Sequence, residues 1–283
     1  MLSDQPDTPH SERVCVEIDA RIAHVRLNRP EKKNALDSGM FDGLLAAAAH
    51  IEAEATVRAV VLSGEGDSFC SGLDFSSFND MASGDLDAES DSVRAAAEDL
   101  SADGANRAQQ LAWRWQEIPV PVIAAVQGAA YGGGLHIALG ADIRFVHPEA
   151  RFAFVEITWG LVPDLSGTQA LRRLVPLDVA KKLIFSGEAI SGRQAVSLHL
   201  GTELSEQPLE DAFALARTIA QRSPDAVRAA KKLLNASGLV PLAEGLANEF
   251  RITSGLMGGK NQLEAVMAKL QKRAPEFVDP EPA

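Results

Sequence analysis

Three consecutive glycines, Gly132, Gly133 and Gly134, are the residues of this sequence best suited to backbone chemistry. They follow an apolar, β-branched run at 122–125 that is typical of a buried strand, and they precede apolar residues with helical spacing at 135–139. The first N–H groups of a helix lack partners within the helix and lie at the positive end of its dipole, so they suit a developing oxyanion. The alternative is that the glycines only allow a strand and a helix to pack closely. This segment alone favours neither interpretation.

A second turn of this kind lies earlier in the chain. An apolar run at 57–63 predicts a buried parallel strand, and it is followed by the sequence Ser-Phe-Cys-Ser-Gly-Leu-Asp at 68–74. The chain therefore contains two glycine turns that each follow a buried strand.

Strand and helix patterns alternate through the first two thirds of the chain. Strands are predicted at 14–19, 22–27, 57–63, 122–125, 143–147 and 151–155, and helices from Asp37 or Ser38 and at 106–117 and 168–174. Repeated ββα units of this kind stack into a spiral with parallel sheets. Beyond residue 178 we expect helices and no strands, at 180–185, 192–198, 209–221, 224–236, 242–254 and 261–273. These helices could pack within the chain or against another subunit, and the sequence does not decide between the two.

Composition excludes several classes of protein. The chain has 283 residues and a formal net charge of −12, which argues against a nucleic-acid partner because such a surface repels phosphates. Two distant cysteines indicate neither disulfides nor a zinc site, and no apolar run reaches the ~18 residues of a membrane span. We therefore predict a cytoplasmic protein without a membrane partner. The acidic residues 75–104 predict a mobile lid or surface loop with one short helix near 93–100.

Six segments, in this order, resemble the crotonase superfamily of enoyl-CoA hydratases and isomerases over about residues 14–277. They are Asn-Arg-Pro-Glu-Lys-Lys-Asn-Ala-Leu at 28–36, Phe-Cys-Ser-Gly-Leu-Asp at 69–74, the glycine turn at 128–134, Glu156-Ile157 with Gly-Leu-Val-Pro at 160–163, Ser-Gly-Thr at 166–168 and Lys-Arg-Ala-Pro-Glu-Phe at 272–277. The resemblance implies an α/β fold, the crotonase-like spiral of ββα units with a helical carboxy-terminal region. It divides the chain into a flexible tail (1–12), a core with an acyl-CoA site (13–205) and a helical oligomerisation region (206–283).

The resemblance also implies the site. The backbone N–H groups of Leu73 and Gly133 correspond to the pair that holds a thioester oxygen. It further implies that the substrate is an acyl-CoA thioester, with coenzyme A as part of the substrate and no metal or other cofactor. The assembly that it implies is a homotrimer or a dimer of trimers. Contacts to CoA are expected from Arg29, Lys33, Phe69, Ser71, Gly72, Asp74 and Lys272.

Three further residues carry the predicted acid–base chemistry. Glu156 corresponds to one of the two glutamates of the hydratases, whereas His136 stands in place of the other. Asp164 resembles an aspartate of the dienoyl-CoA isomerases, which pair it with the equivalent of Glu156, so the site pattern is most similar to those isomerases. Asp164 could instead cap the following helix, and His136 could merely fill the pocket wall. A neutral histidine, favoured by the positive end of its helix, is also a competent base.

The sequence leaves three functions open. The first is an isomerase that shifts the double bonds of an enoyl- or dienoyl-CoA in fatty acid β-oxidation. The second is an enoyl-CoA hydratase in which His136 and Glu156 share the acid–base work, and the third is a catalytically weak acyl-CoA-binding protein. No GxSxG, HExxH, Walker or Rossmann pattern in the required context supports another enzyme class.

Overall fold

The computed structural model describes residues 12–74 and 100–280. In this part the strands are β1 (Val14–Asp19), β2 (Ile22–Leu27), β3 (Ala59–Gly64), β4 (Val122–Val126), β5 (Ala129–Tyr131), β6 (Ile143–Val146), β7 (Arg151–Ala153), β8 (Ile190–Ser191) and β9 (Glu203–Leu204). The α-helices are α1 (Ser38–Ala53), α2 (Arg107–Glu117), α3 (Gly133–Gly140), α4 (Gly167–Leu174), α5 (Leu177–Ser186), α6 (Gly192–Ser197), α7 (Pro208–Ala220), α8 (Pro224–Ala236), α9 (Leu242–Leu256) and α10 (Lys260–Leu270). Short 3₁₀ helices cover Pro30–Lys32 and Val155–Trp159.

The main sheet has six strands in the order β1-β2-β3-β4-β6-β9. The first two strands form the predicted antiparallel hairpin, and the other neighbours are parallel. Both faces of β3 are covered: Val60 and Leu62 lie in the main core, whereas Ala59 and Val61 pack in a second core with α7. This explains why the strand is a continuous apolar run instead of an alternating one.

The parallel pairing of β3 with β4 positions the two glycine turns. Val60 pairs with Val122 and Ser63 with Ala125, so the carboxyl ends of both strands lie at the same edge of the sheet. The segments that leave these ends are therefore neighbours. A second sheet of three strands, β5-β7-β8, continues from the glycine turn after β4.

Helix α3 is the most deeply buried helix of the site region. All eight of its residues are buried, and it packs against α2 and α4. A helix that is apolar on every side is stable only inside a core, which agrees with its sequence Gly-Gly-Leu-His-Ile-Ala-Leu-Gly. His136 is the one ionisable residue in this helix, and its burial determines whether the ring is charged.

The structure corrects the expectation that strands end at residue 178. Strands β8 and β9 follow that residue, but each has only two residues, too few for a detectable alternation. The predicted strand at 151–155 ends at Ala153, because the chain enters the 3₁₀ helix Val155–Trp159. The helix predicted near 93–100 and residues 75–99 of the acidic segment lie outside the described residues, as does the tail up to residue 11.

The other main expectations for the fold agree with the structure. Helix α1 begins at Ser38 and is capped by Asp37, whose Oδ1 accepts a hydrogen bond of 2.9 Å from the Met40 N–H. The chain from α7 to α10 is helical, as predicted. Within the described ranges, no helix is both long enough and apolar enough to cross a membrane.

Candidate active site

A cavity of about 650 Å³ opens at the edge of the main sheet where β3 and β4 end. Among the described residues, four segments line it: Lys32 to Ala35, Ser71 to Asp74, Tyr131 to Gly133 and parts of 155–165. Both glycine turns and both predicted catalytic carboxylates therefore face one cavity. The sequence alone could not show this convergence, because the four segments are far apart in the chain.

The Leu73 N–H is presented to this cavity by a short parallel bridge to Leu36. The Leu36 N–H donates to the Gly72 carbonyl at 2.8 Å, and the Asp74 N–H donates to the Leu36 carbonyl at 3.0 Å. In a parallel bridge the residues flanking Leu73 make the bonds, so its own N–H points away from Leu36. Within the described part of the chain, the Leu73 N–H has no hydrogen-bond partner.

The Gly133 N–H is the second donor at this wall that has no partner among the described residues. Gly133 is the first residue of α3, where an N–H has no partner within the helix. Its nitrogen lies beside Gly72, since a Cβ on Gly72 would be 3.8 Å from it. Of the three consecutive glycines only Gly132 has a positive φ, of 49°. The pair predicted from the sequence is thus brought together, with the positive end of α3 behind it.

Asn34 holds the loop after β2 against the loop after β3. It is fully buried, and its Nδ2 donates to the carbonyls of Glu65, Ser68 and Phe69 at 2.8–3.2 Å. Its Oδ1 accepts from the Arg29 N–H at 2.8 Å. Sequence reasoning assigned no role to this residue. The left-handed backbone at φ 56° suits asparagine, but a motif position alone does not reveal the three carbonyls.

Glu156 lies in the first turn of the 3₁₀ helix Val155–Trp159, next to the two N–H groups. A Cβ on Gly132 would be 3.1 Å from its Oε1, which places the carboxyl directly against the glycine turn. Burial raises the pKa of Glu156 to about 7, and the charge of Asp164 adds to this effect. A carboxyl that titrates near neutral pH can both accept and donate a proton, so Glu156 has the properties of a general acid–base catalyst.

Asp164 lines the same cavity from the loop before α4. Its charge raises the pKa of Glu156, so the two carboxyls are electrostatically coupled. Burial also raises the pKa of Asp164, although Asp164 is more exposed to solvent than Glu156. Helix α4 begins after Ser166 and has no side-chain cap, so the alternative role of Asp164 as a helix cap does not apply.

His136 lies behind Glu156 and not on the cavity wall. Its side chain is 0% exposed, and its Nε2 is 3.2 Å from Glu156 Oε1. Burial lowers its pKa to about 3, which favours the neutral imidazole that the sequence also predicts from the helix dipole. Gly167 leaves room for the ring, because a Cβ there would lie 2.7 Å from the His136 Cγ. His136 therefore does not line the cavity, and its predicted catalytic role stays a prediction.

The residues predicted to bind CoA divide into two groups. Lys33, Ser71, Gly72 and Asp74 line the cavity, together with Lys32, which was not predicted. Phe69, Arg29 and Lys272 do not line it. The Phe69 side chain is fully buried in the main core, which argues against a side-chain contact with CoA, and its predicted role stays a prediction.

Arg29 and Lys272 are absent from the cavity for different reasons. The Arg29 guanidinium is paired with Asp74 at 2.5 Å and Asp37 at 3.3 Å, so it supports the cavity wall from behind. Lys272 follows α10, in the segment whose Phe277 carbonyl accepts from Arg58. Arg58 precedes β3, whereas the cavity lies beyond the other end of that strand. The structure thus places Lys272 away from the cavity of its own chain.

Exposed apolar residues also line the cavity, and the sequence did not identify them. Trp159, Leu161 and Val162 line it and are between 46% and 68% exposed. The motif at 160–163 contains two of them. Exposed apolar side chains around a cavity favour an apolar ligand portion.

Known proteins with similar sequences and structures agree on one family. The model of the enoyl-CoA hydratase/isomerase family matches residues 17–280. The 2,3-dehydroadipyl-CoA hydratase of Escherichia coli (strain K12) is 35% identical over 259 residues, which cover 91% of this chain and 95% of that protein. The mitochondrial methylglutaconyl-CoA hydratase of Mus musculus is 30% identical over 289 residues, covering 96% and 87% of the two chains.

A solved structure extends the similarity to three dimensions. The crystal structure of an enoyl-CoA hydratase from Bacillus anthracis has a TM-score of 0.83 and 30% identity, and the match covers 94% of this chain and 98% of that one. The crotonase-like fold predicted from the six motifs is confirmed. The chain therefore belongs to the enoyl-CoA hydratase/isomerase family of the crotonase superfamily and is an enzyme of that type.

Proposed function

We propose that the enzyme shifts double bonds of an enoyl- or dienoyl-CoA, with Glu156 and Asp164 as the proton-transferring pair. One observation carries this proposal: both carboxyls line the cavity beside the Leu73 and Gly133 N–H groups, whereas His136 does not. For a reaction that needs two acid–base groups on the cavity wall, Glu156 and Asp164 are therefore the candidates. This reaction would serve the β-oxidation of unsaturated fatty acids.

The chemistry follows from the positions of these groups. The two N–H groups bind the thioester oxygen and stabilise the enolate that forms when a proton leaves the adjacent carbon. One carboxylate accepts that proton, and the other carboxyl, in its acid form, donates a proton to a carbon at the far end of the conjugated system. Double bonds move between the two carbons, and no water is added. Proton exchange with solvent then restores the carboxyls.

CoA would extend from the thioester along the loops at 28–36 and 69–74. Lys32 and Lys33 supply positive charge at this side of the cavity. This positive charge matters because the protein as a whole carries a net charge of −12 and repels anions elsewhere.

A hydratase is the second candidate, because the similar proteins from E. coli and mouse are named hydratases. In that case Glu156 and His136 would share the acid–base work, as their 3.2 Å separation permits. A hydratase would need the buried His136 to become accessible to a water molecule. This requirement makes it the weaker of the two proposals.

Substrate tests separate these functions. The enzyme should convert a 3,5-dienoyl-CoA to a 2,4-dienoyl-CoA, which absorbs at longer ultraviolet wavelength, and should act weakly on crotonyl-CoA. Rapid loss of crotonyl-CoA absorbance without action on the dienoyl substrate would instead identify a hydratase. Binding of acyl-CoA without either change would leave the binding-protein function.

Three variants then assign the residues. For an isomerase, Glu156→Gln and Asp164→Asn should each lower kcat by roughly 10²–10⁴-fold and leave thioester binding intact, because each keeps its shape and loses acid–base capacity. His136→Ala should cost less. For a hydratase, Glu156→Gln and His136→Ala should be the damaging pair. Full activity of Glu156→Gln toward every thioester would contradict both mechanisms.

A further inference from the structure

A second cavity, of about 490 Å³, adjoins the candidate active site. The two cavities share Asp164, which lines both. Under the function proposed above, the thioester lies at Leu73 and Gly133, and the reacting carbons reach Asp164. The distal end of a longer acyl group then enters the second cavity, so its lining determines which acyl groups are accepted.

The second cavity is polar where the first has exposed apolar residues. Besides Asp164, its described lining includes the polar residues Gln109, Gln169, Ser166 and Thr168. It also includes Arg173, from the last turn of α4. A plain alkyl end would bury against these groups and displace their water without replacing the hydrogen bonds, which is unfavourable.

The guanidinium of Arg173 lies over an aromatic ring. Its Cζ lies 5.2 Å from the centre of the Trp113 ring, a cation–π arrangement. Within residues 12–74 and 100–280, no carboxylate forms an ion pair with it. The carboxylate of Asp103, which also lines the cavity, accepts a 2.9 Å hydrogen bond from the Trp113 indole N–H instead. Among the described residues, no acidic group therefore occupies the guanidinium donors, which can bind a ligand.

We propose that the second cavity binds a carboxylate at the distal end of the acyl group, and that Arg173 is the specificity-determining residue for it. The substrates would then be thioesters of dicarboxylic acids, with CoA on one end and a free carboxylate on the other. A planar guanidinium matches a carboxylate with two parallel hydrogen bonds, and the amides and hydroxyls nearby are further donors. This assignment rests on the proposed function for the direction in which the acyl group runs.

The test uses saturated thioesters, which bind but do not react. Calorimetry compares hexanoyl-, octanoyl- and decanoyl-CoA with the CoA monothioesters of adipic, suberic and sebacic acid. At the chain length that reaches the cavity, the carboxylate-ended ligand should bind about tenfold more tightly than its methyl-ended partner. Arg173→Gln should remove most of this preference and leave the binding of the methyl-ended ligands nearly unchanged.

Two matched variants isolate the effect of charge. Arg172→Gln removes the neighbouring cation on the same helix, which lines neither cavity, and should keep the preference. Asp103→Asn removes a negative charge from the second cavity but keeps an acceptor for Trp113, so it should increase the preference. If these residues had only a structural role, Arg173→Gln and Asp103→Asn would not change the preference for carboxylate-ended ligands in opposite directions.

The outcomes distinguish this inference from the proposed function. No preference at any chain length, or equal weakening of both ligand types by Arg173→Gln, would overturn it. Turnover of dienoyl-CoA without a carboxylate preference would remove this inference alone. A preference that depends on Arg173, in an enzyme that fails to convert any dienoyl-CoA, would support the carboxylate site and contradict the isomerase.

Discussion

Burial of Glu156 has an energetic consequence for the folded protein. Its pKa is about 7 in the folded state, against an ordinary value of 4.5, because burial disfavours the charged form. The folded state therefore binds the proton more tightly than the unfolded state. The stability that this provides is fully present below pH 4.5 and is lost as the pH rises through about 7. At the pH where the carboxylate works as a base, it also destabilises the fold.

We therefore expect Glu156→Gln, which lowers kcat, to be more stable than wild type at high pH. The amide does not ionise, so the free energy of unfolding of the variant, relative to wild type, should increase by about 2 kcal/mol between pH 5 and pH 8.5. Urea denaturation at both pH values measures this change. Glu188→Gln, which removes an exposed carboxylate, is the control. An equally large change in the control would contradict the assignment to Glu156.

His136 affects the pH dependence in the opposite sense. Its folded pKa of about 3 lies below the ordinary value of 6.5, because the buried site disfavours the imidazolium. The stability associated with the neutral ring is present above pH 6.5 and is lost as the pH falls toward 3. Glu156 therefore lowers the stability of the folded protein at high pH, whereas His136 lowers it at low pH.

At the scale of elements, the close contact between α3 and the turn after β3 sets the geometry of the two N–H donors. Gly134 is the contact point, because a Cβ there would lie 2.7 Å from both Cβ and Sγ of Cys70. A side chain at position 134 would therefore push the turn at 70–73 away from the helix. The distance between the Leu73 and Gly133 N–H groups would then increase.

Gly134→Ala and Gly255→Ala form a matched pair of substitutions at helical glycines. Alanine is favoured over glycine in a helix by about 0.5–1 kcal/mol. At Gly255 in α9 a Cβ would meet nothing within 4 Å, so Gly255→Ala should be stabilising or neutral and fully active. Gly134→Ala should destabilise by roughly 1–3 kcal/mol and lower kcat, because its Cβ overlaps with Cys70. Urea denaturation and steady-state kinetics test this difference; equal behaviour of the two variants would contradict it.

The sequence predicts elements with strong local signals. The apolar run of β3, the cap at Asp37 and the two glycine turns are all encoded locally, and the structure has them. Strands β8 and β9 are formed by pairing with distant strands, and two residues carry no pattern. The 3₁₀ helix at Val155–Trp159 likewise depends on its tertiary surroundings.

The candidate site also contains residues that local motifs identify and residues whose positions depend on tertiary packing. Motif order identifies Leu73, Gly133, Glu156 and Asp164, and the structure brings all four to one cavity. The buried positions of Phe69 and His136 depend on the direction of each side chain within the packed core, which a motif does not specify. The role of Arg173 requires knowledge of the second cavity, which exists only after folding.

At the scale of the whole molecule, the last helices of the isolated chain expose large apolar side chains. Helix α9 has no buried residue, and on it Leu242, Leu246 and Phe250 are 55–78% exposed. Leu263 and Leu270 of α10 are also exposed. Patches of this kind mark interaction surfaces, and a second copy of the chain is the partner that the family resemblance implies.

We therefore expect the protein to assemble through α9 and α10. Light scattering during size-exclusion chromatography should give the mass of three or six chains at micromolar concentration. The double variant Leu246→Glu with Phe250→Glu should shift the mass toward one chain, because it places charges in a desolvated contact. Asn248→Glu, about opposite in helical spacing, is the control. A wild-type protein with the mass of one chain would contradict the assembly.

The hydrogen bonds that fix the Leu73 N–H have a consequence for how such an enzyme diversifies. The neighbours of Leu73 make these bonds: Gly72 and Asp74 to Leu36, the Ser71 N–H to the Lys33 carbonyl and the Cys70 N–H to the Ala129 carbonyl. In the second glycine turn, the N–H groups of Tyr131 and Gly132 donate to the carbonyls of Cys70 and Ala153. All of these partners lie outside residues 75–99. Substitutions in that acidic segment therefore remove none of the hydrogen bonds that position the two donors, an independence that is open to natural selection and to protein engineering.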